Sequence, residues 1–311
     1  MIYGIMAVLF FIGMLLYFRI ADYYNIVDHP NERSSHSEIT IRGGGIIFLF
    51  AALAAVIVHS GYWLPALALF MVGIISFVDD RITLSSKIRL LVHLAATTLF
   101  FVCLDVFSLP LYESFFLYFV VIGTINAYNF MDGINGITGC YSLVVLAGLQ
   151  YVNLKIGFIE KDMIWLPMIA CAVFLYFNFR KKARCFAGDV GSITIAFWIV
   201  MLLIKLILVT NNWSYILFLS VYGTDSVLTI MHRIWLKQNV FKPHRLHLYQ
   251  IMVNERKTPH LWISFSYMLL QGGIIFFIIN NRYFTTTSLF AVILIPLILM
   301  YIILKVALIK K

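Results

Sequence analysis

Two adjacent aspartates, Asp79 and Asp80, follow an apolar stretch in the segment SFVDDRITLSSKIR. At the C-terminal end of a helix such a pair is unfavourable unless cations compensate it, because the helix dipole is already negative there. Arg81, Lys87 and Arg89 come next and could hold the pair as solvated end charges. Alternatively, the pair belongs to a magnesium–phosphate site, since oxygen ligands beside cations suit a metal that arrives with its own phosphates.

A second polar segment, INAYNFMDGINGITG, interrupts a run of apolar residues. Asn126 and Asn129 are spaced to share one face of a helix, just above Asp132. Asp132 could cap the next helix, with Gly133 and Gly136 allowing a tight turn. A cap accounts for one polar residue, not four, and buried amides at membrane depth need partners. We therefore expect a ligand site here.

A third segment, FNFRKKARCFAGDVGS, places Asp189 between glycines where an apolar stretch begins. This aspartate could be a plain N-cap residue. A helix N-terminus that follows a run of Arg and Lys is also what a phosphate or metal–phosphate site requires. Phe186 could offer its ring to a nucleotide base, although packing alone is the simpler explanation of that residue.

Histidines and arginines make up most of the remaining candidates. In DHPNERSSHSEITIRGGG, His36 and Arg42 precede three glycines, whose backbone N–H groups could meet an anion closely. In KPHRLHLYQ, His244 and His247 flank Arg245. Two histidines without a third ligand make a weak zinc site. Donation to phosphate oxygens fits these residue types better.

Asp225 lies inside an apolar stretch, about two turns from its end. A carboxylate within a membrane is a candidate functional residue. The sequence shows no partner for it, so it could support the site or make a structural hydrogen bond to a neighbouring helix.

The composition of the chain that carries these motifs is typical of a membrane protein. Of its 311 residues, 62% are hydrophobic and 12% are charged, and the mean hydropathy is +0.94. Such a composition leaves too little polar surface for a soluble globule. We predict an all-α, polytopic helix bundle that forms a single integral domain over 1–311, with the motifs between 28 and 250. About eleven stretches are long enough to cross roughly 30 Å of hydrocarbon: 2–19, 44–60, 63–79, 88–107, 114–131, 134–153, 163–179, 190–210, 213–231, 260–280 and 287–308.

Lys and Arg set the predicted orientation. With the N-terminus outside, 19 of the 23 fall in inner segments, as the positive-inside rule requires, and the C-terminus is then cytoplasmic. All the polar motifs except Asp225 face the cytoplasm in this topology. The net charge of +9 favours anionic lipid headgroups or a phosphate substrate. Nucleic acid is a poor partner for a chain without a soluble domain.

Together the five motifs resemble the polyprenyl-phosphate N-acetylhexosamine-1-phosphate transferases (glycosyltransferase family 4), which are related to the phospho-N-acetylmuramoyl-pentapeptide transferase. The resemblance runs from Asp28 to Gln250. The H-R-x-H-L-Y-Q signature resembles the variant seen in O-antigen and capsule initiating enzymes. Ile39 and Ile41 stand where the family pattern has prolines.

The resemblance implies a role for each motif. Asp79 and Asp80 would be catalytic, and Asp189 with Asn129 would bind Mg²⁺, with Mn²⁺ as the alternative metal. The turn that holds Asp132 would lie near uridine. The implied substrate-binding residues are Asp132, Asn135, Phe186, His36, Arg42, Arg89, Asn178, His244, Arg245 and His247.

The implied reaction transfers a HexNAc 1-phosphate from a UDP-N-acetylhexosamine to polyprenyl (undecaprenyl) phosphate. It releases UMP and initiates a lipid-linked glycan for cell-surface polysaccharide, at the cytoplasmic face of the inner membrane. Whether an aspartate attacks the pyrophosphate or only assists the acceptor stays open. The expected partners are both substrates and membrane lipid, with a homodimer as a candidate assembly. The alternative class is a membrane transporter of an anionic solute, which would bind near the bilayer midplane on repeated, interrupted helices.

Overall fold

A computed structural model describes residues 2–29, 38–240 and 245–309 of the chain. Within these residues the protein is all-α apart from one pair of two-residue strands. In chain order the elements are α1 (Ile2–Tyr23), β1 (Val27–Asp28), β2 (Thr40–Ile41), α2 (Ile47–Val58), α3 (Trp63–Arg81), α4 (Ser86–Cys103), α5 (Leu111–Met131), α6 (Ile137–Ile156), α7 (Asp162–Asn178), α8 (Gly188–Thr210), α9 (Ser220–Trp235), α10 (Leu248–Asn254), α11 (His260–Ile279) and α12 (Thr286–Ile309).

The long helices agree with the apolar stretches of the sequence. Nine helical stretches among the described residues are long and apolar enough to cross a membrane. Two shorter apolar stretches, Gly44–Val58 and Asp162–Asn178, coincide with the other two predicted spans. The prediction of an all-α, polytopic membrane bundle is confirmed. The number of helices that cross the bilayer and the side on which each terminus lies stay predictions.

Helix α8 forms the centre of the bundle. From Val190 to Ile204 every one of its residues is buried. Helix α1, by contrast, exposes large apolar side chains such as Val8 and Leu16. A helix that is apolar on all sides is stable only inside a bundle or in lipid, and these two helices show both cases. The N-terminus of α8 therefore lies in the middle of one end of the bundle.

Glycines bring the start of α2 against the start of α8. A Cβ atom on Gly45 would lie 1.9 Å from the Cα atom of Gly191. The backbone N–H of Gly44 donates to the carbonyl of Phe186 at 2.8 Å, and that of Gly45 donates to the carbonyl of Ala187 at 3.0 Å. Both N–H groups are therefore already engaged, although the sequence alone would allow them to meet an anion. They hold two chain segments together instead.

The segment before α2 is fixed by backbone pairing. Strands β1 and β2 run antiparallel, with Val27 opposite Ile41. Ile41 also forms a parallel bridge with Cys185, and its carbonyl accepts a hydrogen bond from the N–H of Phe186 at 2.8 Å. The rigidity that prolines would give this segment is thus supplied by hydrogen bonds to two neighbouring segments.

A polar cluster at the opposite end of the bundle shows which helix ends lie together there. Asp162, at the start of α7, accepts a hydrogen bond from the hydroxyl of Tyr3. Its other oxygen lies 2.8 Å from Nε2 of His59, just after α2. The start of α1, the end of α2 and the start of α7 therefore share one end, and the segments with the other motifs lie at the other end.

Candidate active site

Asp80, in the last turn of α3, caps the first turn of α8. Its two carboxylate oxygens accept hydrogen bonds from the backbone N–H groups of Asp189 and Val190, each at 3.1 Å. Arg42 lies 2.8 Å from the same carboxylate, whose side chain is only 1% exposed. The positive end of the α8 dipole and one guanidinium thus compensate a carboxylate that would otherwise be unfavourable at a helix C-terminus.

Asp79 is held by a different set of donors. Its Oδ2 atom lies 2.7 Å from Arg89 on α4, and its Oδ1 atom accepts a hydrogen bond from the backbone N–H of Leu84 at 2.7 Å. The side chain is 8% exposed. The two adjacent aspartates therefore point to two different cations, which explains how they coexist at one helix end.

Asp189 is the most accessible of these three carboxylates, with 19% of its side chain exposed. Its Oδ2 atom accepts a hydrogen bond from the amide of Asn129 at 3.3 Å. Arg89 lies 3.6 Å and Arg42 lies 4.0 Å from this carboxylate. It is not an N-cap residue, because α8 begins one residue earlier, at Gly188. Three carboxylates and two arginines thus meet at the end of α8.

Arg42 is oriented by backbone contacts on both sides. Its N–H donates to the carbonyl of Ile26 at 3.1 Å, and its carbonyl accepts a hydrogen bond from the hydroxyl of Tyr17 at 2.6 Å. Burial alone would lower the pKa of the guanidinium, but Asp80 and Asp189 outweigh that effect and raise it. Arg42 therefore stays charged, and 36% of its side chain is exposed toward the site.

Asp132 lies at the C-cap of α5 and does not cap α6. The structure places Gly136 at the N-cap of α6 with φ of +87°, a conformation that favours glycine. The Oδ1 atom of Asp132 accepts a hydrogen bond from the hydroxyl of Thr138 at 2.6 Å. Burial raises the pKa of Asp132 to about 6; the carboxylate of Asp80 raises it too, whereas the Thr138 bond lowers it.

The two asparagines of the second motif have different surroundings. Asn129 reaches Asp189, as described above. Asn126 donates to the carbonyl of Ile122 in its own helix at 2.7 Å. The two asparagines therefore do not form the expected shared polar face, because Asn129 faces the carboxylate cluster and Asn126 lies on the outside of α5.

Asn135 and Asn178 hold the loops around the site through hydrogen bonds to backbone groups. The amide of Asn135 donates to the carbonyl of Arg180 at 2.8 Å. Asn178 accepts a hydrogen bond from the N–H of Gly136 at 2.6 Å and donates to the carbonyl of Cys185 at 2.8 Å. Both asparagines are buried. This geometry favours a positioning role for Asn178 rather than direct contact with a ligand.

A pocket of about 910 Å³ is lined in part by the 181–186 segment, which precedes α8. Phe186 and Asn135 line it together with Lys181, Lys182 and Lys257. The pocket thus combines a ring, an amide and several cations. These groups suit a ligand with a flat heterocycle and phosphates.

An apolar groove of about 520 Å³ runs between α5 and α9. Phe119 and Gly123 line one part of it, and Asn126 and Phe130 line another part, closer to Asp132 in the sequence. Over this stretch α5 rises about 16 Å at 1.5 Å per residue. The groove therefore leads along the membrane-facing part of the bundle toward the turn with Asp132.

The last motif lies against the same turn. His247 is the N-cap residue of α10, and its ring centroid is 6.1 Å from that of Phe130. The hydroxyl of Tyr249 donates to the carbonyl of Phe130 at 2.9 Å. Arg245 is half-buried just before this helix. His36 and His244, which the sequence predicts to bind substrate, lie outside the described residues.

No group of three or more His, Cys, Asp or Glu among the described residues is arranged to hold a metal by itself. The cluster nevertheless fits Mg²⁺, which typically takes one or two protein carboxylates and completes its shell with phosphates and water. Asp189 is the most accessible of the three clustered carboxylates, and Asn129 is the amide beside it.

Comparison with known proteins shows similarity to one family. The model of glycosyl transferase family 4 matches residues 62–207. The chain is 28% identical over 253 residues to the probable undecaprenyl-phosphate N-acetylglucosaminyl 1-phosphate transferase of Bacillus subtilis, covering 74% of this chain and 70% of that protein. It is 27% identical over 266 residues to the undecaprenyl-phosphate alpha-N-acetylglucosaminyl 1-phosphate transferase of Salmonella typhi, covering 76% and 71%. The protein of the same name from Thermotoga maritima is 26% identical over 250 residues, covering 78% and 79%.

Over residues 62–207 the chain is similar to glycosyl transferase family 4. The matched part of the chain carries the carboxylate cluster and its neighbouring amides. Arg42 and His247 lie outside the matched residues, yet the fold brings both to the same end of the bundle. The site is therefore assembled from segments that extend well beyond the family match.

Three residues of the candidate site are missed by sequence reasoning. Tyr17 holds the carbonyl of Arg42, Leu84 donates its N–H to Asp79, and Tyr249 packs on the turn before Asp132. Only Tyr249 has a signal in the sequence, because it lies within the HLYQ motif. The other two contribute through backbone groups or from a distant helix, which residue type and spacing do not reveal.

Proposed function

We propose that this protein transfers an N-acetylhexosamine 1-phosphate from a UDP-N-acetylhexosamine to undecaprenyl phosphate and releases UMP. The observation that carries the proposal is the cluster of three carboxylates and two arginines at the end of α8. The names of the relatives describe the same class of acceptor and transferred group. The transporter alternative gains no support from them.

Charge is the main obstacle to this reaction. A phosphate monoester, with a second pKa of about 6, must approach an anionic pyrophosphate. An oxygen of the acceptor phosphate attacks the phosphorus next to the sugar, and the bond from that phosphorus to the bridging oxygen breaks as UMP leaves. Arg42 and Arg89 face the cluster and would orient the phosphates and spread the negative charge that they share.

Asp189 and Asn129 would hold Mg²⁺, or Mn²⁺ as the alternative. When bound, the metal would neutralise phosphate oxygens in the pyrophosphate. The protein supplies few metal ligands among the described residues, so the nucleotide itself would complete the coordination. Metal and donor would then bind together.

Asp79 and Asp80 are better suited to positioning than to covalent attack. Both oxygens of each carboxylate accept a hydrogen bond or an ion pair, and their side chains are 8% and 1% exposed. A nucleophile needs an oxygen that can reach phosphorus. We therefore favour direct attack by the acceptor phosphate, with the aspartates fixing the two arginines and the first turn of α8.

The two cavities suit the two substrates. The pocket beside Phe186 would take the UDP-sugar, with the ring stacked on uracil and the lysines near phosphate. The apolar groove between α5 and α9 would take part of the polyprenyl tail. Because one substrate is water-soluble and the other is a lipid, we propose that the site lies at the cytoplasmic face of the inner membrane. The lipid-linked product would initiate a cell-surface polysaccharide such as O-antigen.

The decisive experiment supplies purified protein with undecaprenyl phosphate, Mg²⁺ and a panel of UDP-N-acetylhexosamines. Mass spectrometry of the lipid fraction should show a lipid whose mass has increased by one HexNAc phosphate, with UMP as the second product. Asp105→Asn, at the other end of the bundle, is the matched control for Asp189→Asn. Uptake of the donor into vesicles without any lipid product would overturn the proposal.

A further inference from the structure

Asp225, inside α9, has partners that the sequence does not show. Its Oδ1 atom lies 3.2 Å from Nδ1 of His247 and accepts a hydrogen bond from the backbone N–H of Leu248 at 3.1 Å. Its Oδ2 atom accepts a hydrogen bond from the hydroxyl of Tyr267 at 2.7 Å. The side chains of Asp225 and His247 are 3% and 2% exposed. A carboxylate at this depth is costly unless such partners compensate it.

We propose that Asp225 is a positioning residue that acts on substrate through His247. Its carboxylate accepts the Nδ1 proton of the ring and so fixes both the orientation of the imidazole and the nitrogen that carries the proton. The same arrangement orients metal-binding and catalytic histidines generally. The Nε2 atom is then the ring nitrogen that would serve the phosphates. This inference rests on the proposed function, because it requires His247 to serve the phosphates.

The position of His247 links Asp225 to the carboxylate cluster. The imidazole packs on Phe130, two residues before Asp132. Tyr249, in the first turn of α10, bonds the carbonyl of Phe130, and its hydroxyl would lie 2.2 Å from a Cβ atom added to Gly133. His247 and Tyr249 thus both lie against the segment that carries Asp132.

A further set of hydrogen bonds connects Asp225 to α12. The hydroxyl of Thr229 lies 3.2 Å from Oδ1 of Asp225 and 2.7 Å from the hydroxyl of Tyr301. Lys305, which is buried, donates to Tyr301. Helices α9, α11 and α12 thus all contribute to the placement of one carboxylate, which is more than a single helix-to-helix hydrogen bond would need.

The simpler alternative is that Asp225 only ties helices together. The two oxygens have different partners, because Oδ1 lies against His247 and Oδ2 accepts a hydrogen bond from Tyr267 on α11. Tyr267→Phe removes a helix-to-helix hydrogen bond without touching the bond to His247. It is therefore the matched control for Asp225→Asn, which replaces the anionic acceptor of the Nδ1 proton with a neutral and weaker amide oxygen.

The first test is a double-mutant cycle in the transfer assay. We expect Asp225→Asn and His247→Asn each to lower kcat/KM about 10- to 100-fold, the usual range for such supporting residues. The double variant should be no worse than the poorer single variant, because both changes remove the same function. Tyr267→Phe should stay within about threefold of the wild type. Losses that multiply in the double variant, or equal losses in Tyr267→Phe and Asp225→Asn, would overturn the proposal.

The second test does not depend on activity. Nitrogen-15 NMR of histidine-labelled protein in lipid, with His247→Asn to assign the signal, should show Nδ1 of His247 carrying a proton in the wild type. In Asp225→Asn the signal should shift, whereas in Tyr267→Phe it should stay in place. A wild-type ring without a proton on Nδ1 would contradict the proposal even if Asp225→Asn does not fold. Absence of transfer by the wild-type protein would overturn the proposed function instead and leave this measurement interpretable.

Discussion

The carboxylate of Asp80 is bound to the first turn of the helix that carries Asp189, through the backbone N–H of Asp189 itself. The two aspartates are therefore not equivalent members of an acidic cluster. One closes the N-terminus of α8, and the other extends from that terminus toward the arginines. Substitutions of Asp80 and Asp189 should therefore have different effects on stability and activity.

Asp80→Asn should reduce both stability and activity. The amide loses one acceptor for the α8 N-terminus and the charge that holds Arg42, so we expect the free energy of unfolding to fall by about 1–2 kcal/mol, the usual cost of a lost cap. Transfer should fall at least 100-fold. Apparent unfolding temperature in detergent and initial rates check this, with Asp105→Asn as the control. An unchanged unfolding temperature would show that the cap contributes nothing.

Asp189→Asn should abolish transfer without lowering stability, because it removes a carboxylate that lies beside two others. Mg²⁺ with UDP should raise the unfolding temperature of the wild type, since a ligand that binds only the folded state stabilises it. The variant should show no such rise, and EDTA should abolish it in the wild type. A full response to Mg²⁺ and UDP in the variant would exclude Asp189 as a metal ligand.

Asp132→Asn should raise the stability of the protein while it lowers the activity, and the gain in stability should depend on pH. Because the pKa of Asp132 is raised to about 6, its contribution to stability is fully present below pH 3.8 and is lost as the pH rises through about 6. At pH 8 the amide variant should therefore be more stable than the wild type, by about 1–2 kcal/mol for this half-buried group, and the difference should shrink by pH 5. It keeps the Thr138 bond but should lose transfer.

The outcome that would contradict this prediction is equally specific. A variant that is less stable than the wild type at pH 8 would mean that ionised Asp132 supports the fold. The wild type should also lose activity as the pH falls below about 6, if the ionised form is the functional one. Unfolding temperatures and initial rates across pH 5 to 8 test both points.

Gly123→Leu should narrow the apolar groove between α5 and α9. An added Cβ atom at Gly123 would meet nothing within 4 Å, so the fold should tolerate the change. The KM for undecaprenyl phosphate should rise about tenfold, equivalent to about 1.4 kcal/mol of binding, while the KM for the UDP-sugar stays the same. Gly273→Leu is the matched control, because that glycine also has open space and lines an apolar groove elsewhere. Equal effects of both variants would argue against an acceptor groove.

Periodicity and hydropathy were sufficient to predict the helices, because a chain in lipid must satisfy its backbone within each helix. The sequence also identified Asp79, Asp80 and Asp189 as candidates from residue type alone. It could not show which oxygen meets which donor. The glycines after Arg42 illustrate the limit: their N–H groups suit an anion locally, but a segment more than 140 residues later along the chain occupies them. The partner of Asp225 was equally hidden, since only the fold brings His247 to it.

The bonds around Asp225 also bear on how the protein is made. The ribosome adds His247 and Tyr267 at 22 and 42 residues after Asp225. Helix α9 therefore enters the membrane with a carboxylate whose partners do not yet exist, a state that lipid penalises. Docking of α10 and α11 supplies these partners, so a nascent chain that ends before them would keep the carboxylate without its bonds to His247 and Tyr267.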